Sequence, residues 1–343
     1  MYNLKAKHDM KHHFLGCTIL GAMCMLLVCT MGSCNRNDTT ARIIFDTDMA
    51  PDYDDVGALA MLHALADSGE AKILATVSSN QCPTCVPCIE VINTYFGRPD
   101  IPTGCVKGEA QNRDTWHKGL RWTEELPKRY PHNTPSSAES EDATRLYRRI
   151  LANQPDQSVT IVTVGFLTNV SNLLYSDPDE SSPLSGKELI IKKVKQLVCM
   201  AGSIPEGKEF NVLCDAKASQ HVFDEWPTPI LLSDFAIGEK ILTGRRLAES
   251  GRKGNPVVDA FSMCLPQDDP NGRMSWDQTA GLVAVRGPEG YFRTERGRIA
   301  VNDDGSNSWE ANPEGQHAHL LFDMDKQELT NVIEGLMLPE PNK

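Results

Sequence analysis

Asp46-Thr47-Asp48-Met49-Ala50-Pro51-Asp52-Tyr53-Asp54-Asp55 places five carboxylates within ten residues. The run before it, Ala41-Arg42-Ile43-Ile44-Phe45, is short, apolar and β-branched, the pattern of a buried strand. The run after it, Val56 to Ala66, is rich in alanine and leucine and predicts a helix. The acids therefore occupy a strand-to-helix turn. In an open parallel sheet such turns lie at the carboxyl edge, where ligands bind. Like charges crowded on one turn repel, and a bound cation relieves them. An all-oxygen donor set suits a hard ion such as Ca²⁺ or Mg²⁺. The simpler alternative is a solvated acidic turn with one helix cap. The strand ahead of the acids argues for the ion, because it fixes where they stand.

The rest of the chain sets the bounds. Its 343 residues are 40% hydrophobic and 23% charged, a globular composition with length for a large core. A net charge of −12 argues against a nucleic-acid backbone as partner. Aromatic residues make up 6%, too few for a platform on which single-stranded bases stack.

Lys5, Lys7 and Lys11 precede Phe14 to Met31, an uncharged and mostly apolar run that ends in Gly32-Ser33-Cys34. This pattern resembles a bacterial lipoprotein signal peptide over residues 1–33, with Cys34 the lipidated first residue of the mature protein. An uncleaved membrane anchor is the alternative, since the apolar run approaches spanning length. Residues 34–40 form a polar tether, and residues 41–343 form the body. Either way the body is expected in the cell envelope, periplasmic or surface-exposed, with the lipid anchor as its only membrane contact.

Strands and helices alternate along that body. Strands are expected at 72–77, 159–164, 194–200 and 229–232. Helices are expected at 89–96, 142–153, 214–223, 257–264, 277–285 and 328–337. Such alternation implies βαβ units, hence a mostly parallel α/β sheet covered by helices on both faces. Residues 107–140 are polar with little periodicity and read as a lid or a disordered loop.

Seven cysteines remain after Cys34. Cys82, Cys85 and Cys88 have the spacing of metal ligands, with Cys105 as a candidate fourth. A disulfide within that set, or simple buried thiols, are the other readings. Cys199 and Cys214 fall in expected core elements and read as small hydrophobes.

Three later clusters fall at expected strand ends and are placed to meet the acidic turn. They are Asn80, Glu209-Phe210-Asn211 and Trp276-Asp277. Together they add oxygen ligands and amides, which suit a polyhydroxylated substrate held on a hard cation.

Here the chain resembles a known family. The acidic stretch followed by Val56-Gly57-Ala58-Leu59-Ala60 is similar to the nucleoside hydrolases of the inosine–uridine preferring type. So are Ile92 to Pro102, Gly165-Phe166-Leu167-Thr168-Asn169, Glu209-Phe210-Asn211 with Asp215 downstream, and Ser275 to Thr279. The resemblance runs from about Ile43 to the C-terminal helix. It implies a Rossmann-like fold and Ca²⁺-dependent hydrolysis of the N-glycosidic bond of nucleosides, in a homodimer or homotetramer. The implied calcium ligands are Asp46 or Asp48 with Asp55, the main-chain carbonyl of Val164, and Asp277. Asp48 matches the general base. Asp54, Asn80, Glu209 and Asn211 match sugar-binding positions.

The sequence departs from the family pattern at three places. Ala50 stands for a turn glycine, Ser203 for a sugar-binding asparagine, and Trp276 for a histidine that in some members protonates the leaving base. His117 is a candidate replacement for that acid. Two rival functions follow from these features. One is a lipoprotein that binds nucleosides or glycosides without cleaving them. The other is an Asp-nucleophile, Mg²⁺-dependent phosphatase, whose strand and Asp-x-Asp turn look alike, although Ala50 breaks its motif.

Overall fold

A computed structural model describes residues 40–117, 119 and 121–341. The signal-peptide reading of residues 1–33, the lipidation of Cys34 and the tether up to residue 39 lie outside these residues. Among the described residues no helix is long and apolar enough to cross a membrane.

Along the chain the strands are β1 (Ala41–Thr47), β2 (Ala71–Ser78), β3 (Thr103–Cys105), β4 (Glu141–Asp142), β5 (Val159–Thr163), β6 (Val194–Met200) and β7 (Glu206–Gly207). They continue with β8 (Ile230–Ser233), β9 (Leu242–Thr243), β10 (Arg273–Met274), β11 (Phe292–Val301), β12 (Asn307–Ala311) and β13 (His317–Phe322). The first half of the helices is α1 (Asp54–Asp67), α2 (Cys85–Tyr95), α3 (Trp122–Arg129), α4 (Ala143–Ala152), α5 (Thr168–Leu174) and α6 (Gly186–Lys193). The second half is α7 (Phe210–Cys214), α8 (Ala216–Glu225), α9 (Phe235–Gly238), α10 (Arg245–Glu249), α11 (Pro256–Asp268), α12 (Trp276–Arg286) and α13 (Lys326–Met337).

The main sheet runs β4-β3-β2-β1-β5-β6-β8-β13-β11-β12-β7. Every pairing from β4 to β13 is parallel, while β11, β12 and β7 extend the sheet antiparallel. The chain moves outward from β1 through β2, β3 and β4, then restarts at β5 on the other side of β1. That reversal opens a crevice between the carboxyl ends of β1 and β5, the place where open α/β sheets bind ligands.

Two apolar cores sandwich the sheet. Ile43 and Phe45 enter one of them and Ile44 the other, as the two-residue period of a strand requires. The first core holds the inner faces of α1, α2, α11, α12 and α13, and the second those of α4, α5, α6 and α8. α1 is buried from Asp54 to Leu65. A mostly apolar body suits a helix enclosed on every side, and its one buried imidazole, His63, is satisfied by Asn93 at 2.9 Å.

The strand–helix alternation is as expected, and the differences have local causes. α1 begins at Asp54, two residues before the expected start, because carboxylates in a first turn complement the helix dipole. α2 begins at Cys85, so Cys85 and Cys88 are buried helix residues. The described cysteines are free, and among the described residues they form no metal-type group. The 107–140 segment contains α3, anchored by the buried Trp122 and Leu126. α6 went unpredicted although Ser185 and Glu188 form a capping box at its start. The hairpins of β11 to β13 were also missed.

Candidate active site

The acidic turn unfolds into three directions. β1 extends to Thr47, so Asp46 is still a strand residue and shares the face of Ile44. Its carboxylate accepts hydrogen bonds from Tyr147 Oη of α4 at 2.8 Å and from Asn169 Nδ2 of α5 at 3.0 Å. Asp46 therefore points beneath the sheet edge and does not line the pocket. Thr47 points the other way and donates its hydroxyl to Asp55 Oδ1. Asp48 follows the strand and lines the pocket, and among the described residues no side-chain donor engages its carboxylate.

The remaining acids converge from α1 and α12. Asp54 lines the pocket, and its Oδ2 accepts the main-chain N–H of Asp277 at 3.4 Å. Asp277 opens α12 and lines the same pocket. Asp55 is fully buried one residue into α1, and its Oδ2 has no hydrogen-bond partner. Asp52, Asp54 and Asp55 each bring a carboxylate oxygen into a group within 4.8 Å of one another.

From the β5 and β6 side come Val164, Glu209 and Asn211. Val164 N–H donates to the Asp46 carbonyl at 2.8 Å, which locks the ends of β1 and β5 together. Asn211 Nδ2 donates to the Val164 carbonyl at 3.0 Å and reaches the Met200 carbonyl at 3.3 Å. Glu209 caps α7 by accepting from Asn211 N at 2.8 Å, Val212 N at 3.1 Å and Gly202 N at 3.1 Å. Glu209 and Asn211 are held rigidly at the pocket wall by these bonds.

Asn80 is placed differently from the expectation. Its Nδ2 donates to the carbonyls of Asp48 and Arg113, and its Oδ1 accepts from Cys82 N and Arg113 N. The amide is fully committed to tying the acidic turn to the 107–121 segment, so Asn80 does not line the pocket. Ser203 likewise exchanges main-chain bonds with the side chain of Asn307 and stays outside it.

These carboxylates close one cavity of about 240 Å³, lined by Asp48, Asp52, Asp54, Glu209, Asn211 and Asp277 among others. Residues 43–331 match the sequence profile of the inosine-uridine preferring nucleoside hydrolases. The chain belongs to that family. It is 32% identical over 231 residues to the pyrimidine-specific ribonucleoside hydrolase RihA of Salmonella enteritidis, a match spanning 63% of this chain and 67% of that protein. The fold is similar to that of the inosine-uridine preferring nucleoside hydrolase of Bacillus anthracis, with a TM-score of 0.65 at 15% identity over 87% of this chain and 99% of the other. It is equally similar to the purine-preferring ribonucleoside hydrolase of Gardnerella vaginalis, with a TM-score of 0.65 at 16% identity over 86% and 99% of the two chains. This nucleoside hydrolase is accordingly a hydrolase of N-glycosyl bonds, and the phosphatase reading falls.

Aromatic rings rim the pocket of this hydrolase. Trp116 packs edge-on to Phe210 at 5.6 Å, and Phe235 lies 5.1 Å from Trp276. The Trp276 indole N–H is bonded to the Phe235 carbonyl at 2.9 Å, so the pocket meets its ring and not a proton donor. His117 is buried behind Trp116, with Nδ1 2.5 Å from Asp268 Oδ2 and its ring edge against Tyr53. His117 does not line the cavity. Sequence reading missed Trp116, Phe210, Phe235 and Arg273. Phe210 lies inside the Glu209-Phe210-Asn211 motif and Phe235 follows Asp234, while Trp116 and Arg273 carry no local signal.

Burial and mutual repulsion set the protonation of the cluster. Burial raises Asp52 to about 6 and Asp46 and Asp54 to about 7. Burial first, then neighbouring carboxylates, push Asp48, Asp55 and Asp277 well above the ordinary carboxylate range. Carboxyls raised in the fold favour folding below their unfolded value, and that contribution is lost as pH rises through 6 to 7. A bound dication reverses the loss by replacing the protons. Calcium should therefore barely change the melting temperature of chelator-stripped protein at pH 5 and should raise it by several degrees at pH 8. A calcium-induced shift of equal size at both pH values would dissociate the metal from these acids.

Gly165 holds Asp48 in place by its lack of a side chain. A Cβ there would lie 2.7 Å from Asp48 Cβ and 2.7 Å from Ser79 Oγ, and closer still to the Asp48 main-chain nitrogen. The backbone of Asp48 would have to move. Gly165→Ala should lose about 100-fold in kcat/KM, the scale of an ångström's misplacement, and about 1–3 kcal/mol in stability from overpacking. Steady-state kinetics and thermal melts check this, and a wild-type rate would show that the contact does not position Asp48.

Proposed function

We propose that this protein is a calcium-dependent ribonucleoside hydrolase of the bacterial cell envelope, anchored by lipid on Cys34, in which Asp48 activates the attacking water. The supporting observation is the meeting of Asp48, Asp54, Asp277, the Val164 carbonyl, Glu209 and Asn211 around one cavity at the sheet's switch point.

The donor set fits a hard cation. Asp55 Oδ2 is buried without a partner, a costly state for a carboxylate oxygen unless a positive group meets it. The Val164 carbonyl accepts from Asn211 and keeps a second lone pair. Asp48, Asp55, Asp277 and that carbonyl would hold the ion. Bound there, calcium supplies hard Lewis acidity that orients sugar hydroxyls and makes water easier to deprotonate.

The side chains do the rest. Asp48, free of side-chain donors, accepts the proton of the attacking water. Asp54, Glu209 and Asn211 accept and donate to the sugar hydroxyls from fixed positions. Cleavage develops positive charge on the sugar, as in glycoside hydrolysis, and the surrounding carboxylates stabilise it. The rings of Trp116, Phe210, Phe235 and Trp276 suit a planar base and shield it from water. The test is to incubate the purified mature chain with a panel of nucleosides and measure free base and reducing sugar, with and without chelator. Release that chelator abolishes is the expected result. Tight nucleoside binding with no release from any substrate would favour a binding lipoprotein, the reading to which Trp276 in place of a proton donor points.

A further inference from the structure

Arg273 stands among carboxylates that have the grouping of a metal site. Of Asp52, Asp54 and Asp55, whose ligand atoms cluster within 4.8 Å, it engages two. Its Nε and Nη2 donate to Asp54 Oδ1 at 3.0 and 2.8 Å, and Nη2 also donates to Asp52 Oδ2. Nη1 lies 3.6 Å from Asp269 Oδ2, a carboxylate that also accepts from the Tyr53 hydroxyl at 2.7 Å. The guanidinium is 5.3 Å from the Tyr53 ring centre and 5.0 Å from that of Trp276. Its backbone belongs to the β9–β10 ribbon, apart from the main sheet. The residue is buried and lines the pocket. A guanidinium keeps its charge at any working pH and, being covalently attached, cannot dissociate.

Asp55 contrasts with its two neighbours. Its Oδ2 is buried and meets no donor. One carboxylate of the triplet thus remains open, while the other two are already satisfied by a fixed cation.

We infer that Arg273 is a built-in cation that takes the place of a second divalent ion, reserving Asp52 and Asp54 from the metal and presenting Asp54 to the sugar. The inference rests on the calcium reading above. Asp48, Asp52, Asp54, Asp55 and Asp277 carry five negative charges when ionised. One dication offsets two of them, and Arg273 offsets a third at the side where Asp52 and Asp54 would otherwise offer free oxygens beside Asp55. Arg273 is a positioning residue: it fixes Asp54 Oδ1 and leaves Oδ2 at the pocket beside the Asp277 N–H.

The test titrates chelator-stripped full-length protein with calcium chloride by calorimetry, and pairs it with steady-state kinetics for wild type, Arg273→Gln and Arg273→Lys. Wild type should bind one ion per chain. Arg273→Gln should bind two, the second more weakly, with KM raised about 10- to 100-fold, the scale typical of lost supports around a metal site, and kcat changed less. Arg273→Lys should return to one ion, because the charge is kept, and should recover KM only in part, because the two-pronged contact is lost. One ion and a wild-type KM in Arg273→Gln would overturn the inference. Should that variant fail to fold by circular dichroism, a second calcium bound by Arg273→Lys, in which the charge is kept, would overturn it instead. Wild type that binds no calcium removes the calcium reading itself and the inference with it, a failure distinct from the other two.

Discussion

Asp48→Asn should lower kcat by about 10²- to 10⁴-fold at saturating calcium, the range contributed by a positioned general base, with KM near wild type and a weaker hold on calcium, because the change also removes one ligand charge. The substitution keeps shape and one oxygen but removes the ability to take a proton. Asp48 is the residue to choose because, among the described residues, no side-chain donor engages its carboxylate. Tyr147 and Asn169 bind Asp46, Arg273 binds Asp52 and Asp54, and Thr47 binds Asp55. Asn80 holds the main chain of Asp48, not its carboxylate, so the turn should survive the change. Initial rates on a cleaved nucleoside, with metal content measured on the same sample, check the prediction. A near-normal kcat would remove Asp48 from the base role.

The position of the acids was legible, and their directions were only partly so. An apolar run into an acid-rich turn identifies a strand end facing a ligand, and β1 obeys that reading. The direction of Asp46 was also available in principle, since it has the parity of Ile44 and must face the same core. It was obscured because the acids were read as one turn, whereas the strand extends to Thr47. Asn80 and Glu209 illustrate a different limit. Their motifs place them at strand ends, but what their polar atoms bond to depends on Arg113 and Gly202, which no local pattern specifies. Strand β11 was hidden by charge. Arg293, Glu295, Arg296 and Arg298 interrupt the apolar run, although Phe292 and Ile299 are buried. Arg273 had no sequence signal as a pocket cation, because its partners come from Asp52 and Asp54, far away in the chain.

Asp55→Asn should weaken calcium binding by about 100-fold or more, since charge count governs affinity at oxygen sites, and activity should fall with it. The same variant should make the metal-stripped protein more stable at pH 8, by about 1–2 kcal/mol, because it removes a buried unpaired carboxylate oxygen. The side-chain carbonyl of asparagine can still accept the Thr47 hydroxyl, so the helix start is kept. Its amide would then sit where Oδ2 now meets no donor, and an N–H there repels a cation. The two effects have opposite signs, and that pairing is the diagnostic. A residue that merely stabilises the fold loses stability when replaced, whereas a residue held in strain for a ligand gains it. Calorimetric calcium titration and melts of the stripped proteins test both halves. If Asp55→Asn binds calcium as wild type does, Asp55 is not a ligand. Should it bind calcium poorly and also melt lower without metal, Asp55 serves the fold as well as the ion, and the unpartnered oxygen is not a stored cost of function.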